Sequence, residues 1–449
     1  MTNYDVIIIG GSAAGVTAAI TARKYYPDKS ILLVRDEELV PIPCGIPYVY
    51  GTVLDPMKNL IPVNNMMTAS KIEMVIESVV KINREFHLIF TESDQSFHYE
   101  KLVIATGSNP IIPKIEGIQL KNVFSIKKNT IYLKEIQTQI SNSKKIVIIG
   151  AGFIGAEMAE ECKKFNPEIE INVFEMQDHP LKFVYDTDLC ILAEKALVDQ
   201  GINLHMNENV VKIIGNEFVE AVETASKKRV EADMVILGIG ATPNTKLAHS
   251  SGLELGPMHG ILVNRYMQTI DESIFACGDC ADKVSFFDCK PSGLRLASIA
   301  TMEARIVGAN LFDVRRTNYG VVGCFSTVLN HKAFAGAGLT VASATEKGFQ
   351  ICVGEAESVN RHPGIMPGGD LLKVKLVFER SAGRILGGQA YGALSAGELI
   401  NAISAFVSAK MTAEAIATFQ AGTHPALTAS PIAYQLVNAA ENAIIKMHH

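Results

Sequence analysis

Lys145-Ile-Val-Ile-Ile-Gly-Ala-Gly-Phe-Ile-Gly-Ala-Glu157 is an aliphatic run that stops at a glycine-rich turn. The pattern predicts a buried strand, a tight turn and a helix. In such a turn the backbone N–H groups and the helix N-terminus face a pyrophosphate. Glycine is needed where a Cβ would collide, and Gly150, Gly152 and Gly155 supply all three positions around Phe153 and Ile154. The next strand, Ile171–Phe174, ends in Glu175, an acid placed to accept hydrogen bonds from a ribose diol. No Arg or Lys occurs in 176–180 to hold a 2′-phosphate, which favours NADH, with NADPH as the alternative. A later strand, Met234–Leu237, runs into a turn containing Gly240, a further candidate contact.

A second unit of this kind starts the chain: Tyr4-Asp-Val-Ile-Ile-Ile-Gly-Gly-Ser-Ala-Ala-Gly15. It departs from the pattern. Gly10 and Gly15 are in place, but Ser12 replaces the middle glycine ahead of Ala13 and Ala14. Arg35 stands where the ribose acid is expected, with Asp36 next to it. Other segments support the site. Ala105-Thr106-Gly107 ends a strand of the same domain, and Gly278-Asp279 follows an apolar segment at Phe275, which aims Asp279 at a ribityl hydroxyl. A helix starting near Ala297 or Ser298 can turn its N-terminus toward a developing anion. Two dinucleotide turns in one chain imply a bound flavin and a passing nicotinamide.

The chain has 449 residues, 48% hydrophobic and 20% charged, with net charge −6. That length exceeds one compact core. The balance excludes a basic nucleic-acid surface, and no apolar run approaches the ~18 residues of a membrane span. No signal peptide is evident, and eight irregularly spaced cysteines fit a reducing cytoplasm better than a disulfide framework. The expected class is α/β. Residues 1–115 and 245–320 form a discontinuous FAD-binding domain, 116–244 an NAD-binding domain, and 321–449 a C-terminal α+β domain. Residues 36–65 read as a long functional loop, and Thr269–Asp279 as a strand returning to the first domain.

Ile42-Pro-Cys44-Gly-Ile-Pro-Tyr-Val49 carries the redox chemistry in this reading. With the two turns, it resembles the single-cysteine branch of the FAD- and NAD-linked pyridine nucleotide-disulfide oxidoreductases. That branch holds coenzyme A disulfide reductases, persulfide reductases, NADH oxidases and peroxidases. The dithiol enzymes carry a second cysteine where this chain has Val49, so no internal disulfide forms here. The resemblance implies that Pro43 and Cys44 lie against the flavin ring, that Val79 is near the adenine, and that Glu157 faces the nicotinamide pocket. It also implies tightly bound FAD, a homodimer through the C-terminal domain and an active site completed by the partner subunit. His424, in Thr423-His-Pro-Ala-Leu427, resembles the catalytic imidazole that the other subunit supplies in the dithiol enzymes and is the candidate to protonate a leaving thiolate, although Ala429 replaces its usual glutamate partner. His362 is a lesser candidate, and Arg23 and Lys24 are candidates for the phosphates of a coenzyme A-like substrate.

The expected acceptor is a small disulfide, persulfide or polysulfide. No rhodanese-like segment follows, so sulfur is expected from solution or another protein. The alternatives are an NADH oxidase or peroxidase, a reductase for a small iron protein, and a non-catalytic NADH sensor. Cys277-Gly-Asp-Cys280 reads as packing within the flavin motif rather than a redox or metal pair, and no metal site is expected.

Overall fold

Thr2–Ile9 lies between Ile31–Arg35 and Ser96–Ile104, parallel to both. Val6, Ile7, Ile8, Leu33, Leu102, Val103 and Ile104 have no exposed surface. Strands buried on both faces are aliphatic throughout, which is why these runs show no alternation. Glu73–Ile76 extends the sheet on one side, and Ile274–Ala276 pairs parallel with Ser96–Ile104. Leu88–Thr91 and Val79–Asn83 add an antiparallel edge. This computed structural model describes residues 2–449.

The chain folds as two units. The first takes the segment ending at Pro113, Phe124–Asn142 and Gly240–Val321. Helices Ala13–Tyr25 and Ala297–Asn310 pack so closely that a Cβ on Gly308 would lie 2.6 Å from Thr21 Cβ. The segment 36–65 is a series of short turns: Pro43–Gly45, Tyr48–Gly51 and Pro56–Lys58, running into the helix Val63–Ala69.

The second unit takes Lys114–Val123, Ser143–Ile239 and Val322–His449. Its parallel strands run in the order Asn203–His205, Glu170–Phe174, Lys145–Ile149, Met234–Leu237. A three-stranded antiparallel sheet (Val210–Gly215, Val219–Thr224, Arg229–Glu231) accompanies them. The C-terminal part is an antiparallel sheet ordered Cys324–Leu329, Lys332–Gly338, Ile385–Gly392, Leu371–Glu379, Ile351–Val359. Helices Ala396–Ser408 and Gln435–His448 cover it, with Gly354 held against the Ala439 carbonyl. The α/β class with two Rossmann-like sheets and a C-terminal α+β part is as the sequence predicts.

Two boundaries differ from expectation. Residues 124–142 lie with the first unit, not in an unbroken 116–244. Asn129 Nδ2 donates to both Glu37 carboxylate oxygens at 3.0 and 2.9 Å, and Thr130 Oγ1 donates to Leu39 O at 3.1 Å. Gly240 also falls in the first unit, where Ile111 N–H donates to its carbonyl at 3.0 Å. Within the expected strand Thr269–Asp279, only Ile274–Ala276 is strand. The Asp271 carboxylate accepts from Ser273 N and Oγ at 3.0 and 2.6 Å, closing an Asx-turn that breaks the run. Among the described residues, no helix is long and apolar enough to cross a membrane.

Candidate active site

The first turn closes because a Cβ on Gly15 would fall 1.8 Å from Gly10 O, a contact only glycine avoids. Ser12 is the N-cap of helix Ala13–Tyr25 in extended conformation, with no side-chain capping bond. The helix N–H groups therefore have no side-chain acceptor from their cap, the condition a pyrophosphate requires. Thr106 Oγ1 donates to Asn244 O at 2.7 Å, and Asn244 N–H donates to Gly107 O at 2.9 Å, fixing the strand end after Ala105. Asp279 Oδ2 accepts from Ser108 Oγ at 2.8 Å and Lys128 Nζ at 3.2 Å. Burial opposes ionisation of this carboxyl, but the Lys128 charge and the Ser108 bond outweigh it and hold it below the usual range. Ala297 and Ser298 open a helix whose N-cap, Leu296, also offers no side-chain acceptor.

Arg35 takes a place the sequence did not assign. It is 2% exposed and directs its guanidinium to the carbonyls of Glu37 and Glu38 and to Asn64 Oδ1. It pins the start of the cysteine-bearing segment, and Asp36 beside it is exposed. Val79 is half-buried at the start of its edge strand. Arg23 is also spent internally: its guanidinium donates to four backbone carbonyls, Pro27, Lys29, Ser70 and Lys71.

Pro43 and Cys44 form a single turn, Pro43–Gly45, just ahead of helix Tyr48–Gly51. Cys44 is exposed, and Val49 is fully buried. Asn59 holds the turn from beneath: its Nδ2 donates to Ile42 O at 2.9 Å, and its own carbonyl accepts from Ile42 N at 2.9 Å. A Cβ on Gly45 would meet Asn59 Oδ1 at 2.2 Å, so this clamp needs glycine there.

In the second unit the same geometry recurs. A Cβ on Gly155 would lie 1.9 Å from Gly150 O, whereas Gly152 has nothing within 4 Å and faces open space. Gly152 caps helix Phe153–Phe165 without a side-chain acceptor, Ile154 lying in the helix's first turn. Glu175 accepts from Ala151 N at 2.8 Å and Gln177 N at 2.9 Å, which aims its carboxylate beside the turn. A cavity of about 160 Å³ opens there, lined by Gly152, Phe153, Glu175, His179 and Lys182 among others. Lys182 lies two residues past 176–180, the stretch that holds no Arg or Lys. A folded-back loop brings it in, a closure that residue spacing does not reveal.

Glu157 Oε1 accepts from Thr327 Oγ1 at 2.7 Å. His424 is exposed in a turn, and its Nδ1 accepts from Ala426 N–H at 3.2 Å, so the neutral ring carries its proton on Nε2. His362 does the reverse: its Nδ1 lies 3.1 Å from Thr428 O, which only accepts, so that nitrogen is the donor. The two histidines thus share one loop cluster. Cys277 and Cys280 are fully buried, and burial pushes both thiols up. Cys280 Sγ lies 3.4 Å from Ile104 O and 3.3 Å from Cys277 O, a packing role.

The pyridine nucleotide-disulphide oxidoreductase profile matches residues 4–304, and the dimerisation domain of that family matches 324–432. An NADH oxidase of Methanocaldococcus jannaschii is 31% identical over 452 residues, covering 98% of this chain and 99% of the relative. A coenzyme A-dependent NAD(P)H sulfur oxidoreductase of Pyrococcus abyssi is 29% identical, covering 86% and 87%. The solved NAD-dependent persulfide reductase from A. fulgidus superposes with a TM-score of 0.90 at 28% identity, covering 100% of this chain and 84% of that one. Two uncapped glycine turns, the buried sheets behind them and this agreement along the chain's length lead to one conclusion: the chain belongs to the pyridine nucleotide-disulphide oxidoreductase family.

Proposed function

We propose that this flavoprotein oxidoreductase uses FAD and NAD(P)H to reduce a small disulfide, persulfide or polysulfide through one cysteine, Cys44. The observation that carries the reading is the exposed Cys44 turn in the first unit, with a buried Val49 where an internal partner cysteine would stand. When bound, FAD supplies a two-electron relay between NAD(P)H and sulfur. The uncapped helix ends at Ser12 and Gly152 hold the pyrophosphates, and Asp279 and Glu175 take the sugar hydroxyls. The Cys44 thiolate attacks one sulfur of the acceptor, forming a mixed disulfide as the S–S bond breaks to release a thiolate; the electron pair of NAD(P)H would then cleave the mixed disulfide, releasing the second thiol and restoring Cys44. His424, supplied by the second subunit of the dimer and carrying its proton on Nε2, hydrogen-bonds the leaving thiolate, and the one proton taken up overall comes from solution. The overall balance is disulfide plus NAD(P)H plus one proton to two thiols plus NAD(P)+.

Several finer points belong to the same reading. The acceptor is coenzyme A-linked, the protein is a homodimer through residues 324–432, and it works in a reducing cytoplasm. None of the eight cysteines forms a disulfide. A second reading, an NADH oxidase, draws on the M. jannaschii relative. Anaerobic NADH titration separates them when paired with turnover assays. The sulfur reductase consumes more than two electrons per FAD and turns over coenzyme A disulfide or polysulfide without oxygen. Turnover with oxygen alone overturns the proposal.

A further inference from the structure

A buried ion pair lies under the Gly278-Asp279 turn, and no sequence motif announced it. Lys283 and Glu303 are 3.0 Å apart, with 2% and 0% of their side chains exposed. Glu303 Oε2 accepts from Gly278 N at 2.9 Å, and Lys283 Nζ donates to Gly278 O at 2.7 Å and Ala281 O at 3.2 Å. Both backbone groups of one residue are thus gripped by opposite charges. That residue needs the grip: Gly278 has φ +78°, and a Cβ there would lie 2.8 Å from Ala14 Cβ, in the first turn of the dinucleotide helix.

Stability alone does not account for the pair. Removing two charges from water costs about as much as their attraction returns, and apolar residues of equal volume commonly serve as well. Glu303 Oε1, moreover, is buried with no hydrogen-bond partner among the described residues. What the pair does provide is orientation. Gly278 precedes Asp279, whose carboxylate meets Ser108 and Lys128 on its other side.

We propose that Lys283 and Glu303 are positioning residues for the flavin: they lock the Gly278 peptide groups and thereby hold Asp279 against the ribityl part of the cofactor. The proposal rests on the assignment of FAD to the first glycine turn and Asp279. The test follows FAD release from purified holoenzyme, the flavin midpoint potential and the melting temperature. It compares wild type, Glu303→Gln, the double variant Lys283→Met/Glu303→Leu, and Asp279→Asn as a reference. The double variant should keep its melting temperature within a few degrees, yet release FAD about tenfold faster, the ratio expected for one lost well-placed hydrogen bond. Its midpoint potential should shift in the same direction as that of Asp279→Asn. Glu303→Gln, which still accepts from Gly278 N–H, should release FAD only about threefold faster. A folded double variant or Glu303→Gln that releases FAD at the wild-type rate overturns the proposal. If Asp279→Asn also releases FAD at the wild-type rate, the assignment of the flavin site fails first. Should the double variant not fold, Glu303→Gln alone decides between these outcomes.

Discussion

Cys44 sits on a one-turn segment that Asn59 clamps from below, so its chemistry and its placement can be separated by mutation. Cys44→Ser should lower NADH-dependent reduction of coenzyme A disulfide or polysulfide at least ~100-fold, because a hydroxyl is a far weaker nucleophile. FAD content should stay unchanged, checked by absorbance. Asn59→Ala removes a buried hydrogen bond and opens space beside Gly45. It should cost about 1–2 kcal/mol and change the rate of Cys44 alkylation by iodoacetamide, measured beside thermal melting. In the second unit, Glu175 and Lys182 line one cavity with opposite charges. Glu175→Ala should weaken NADH about tenfold, in KM, while leaving NADPH nearly unaffected. Lys182→Met should do the opposite, and equal effects on both nucleotides would remove Lys182 from specificity.

The first strand is anchored to the next through one carboxylate. Asp5 accepts from Ser30 N and Oγ, each at 2.7 Å, and pairs with Lys29 at 2.8 Å. Burial opposes its ionisation, but the Lys29 and Ser30 bonds outweigh it and hold its pKa at about 2, from an ordinary 3.8. A carboxylate with a depressed pKa stabilises the fold above its unfolded value, and that gain is lost as pH falls through the folded one. The melting temperature should therefore drop between about pH 4 and pH 2, and Asp5→Asn should flatten part of that drop. Burial does the rest of the work in this element: Val6, Ile7 and Ile8 are fully covered, each worth roughly 1.5–3 kcal/mol.

At the scale of the whole molecule, several large apolar residues of the C-terminal part are exposed, among them Ile365, Leu394, Leu427 and Ile432 at 92, 64, 66 and 88%. Residues 324–432 match a dimerisation domain, and burying such side chains is what a dimer gains. Sedimentation should give twice the 48.6 kDa chain mass, and Leu427→Asp with Ile432→Asp should shift it to monomer. A wild-type chain that sediments as a monomer at micromolar concentration would sink the homodimer reading.

Glycine spacing and unbroken aliphatic runs determined the two nucleotide units, because a turn that crowds a carbonyl against a Cα admits glycine alone and a strand buried on both faces must be apolar throughout. The cysteine count at Cys44 and Val49 was equally local. Tertiary structure decided where the charges went. Arg35 turned inward to loop carbonyls, Arg23 was consumed by four more, and Lys182 returned to the cavity on a folded loop. Lys283 met Glu303, 20 residues away, beneath a glycine turn. Asn64 for Arg35, Ser70 and Lys71 for Arg23, and Glu303 for Lys283 come from segments packed in from elsewhere in the chain, and that packing has no period a sequence can display.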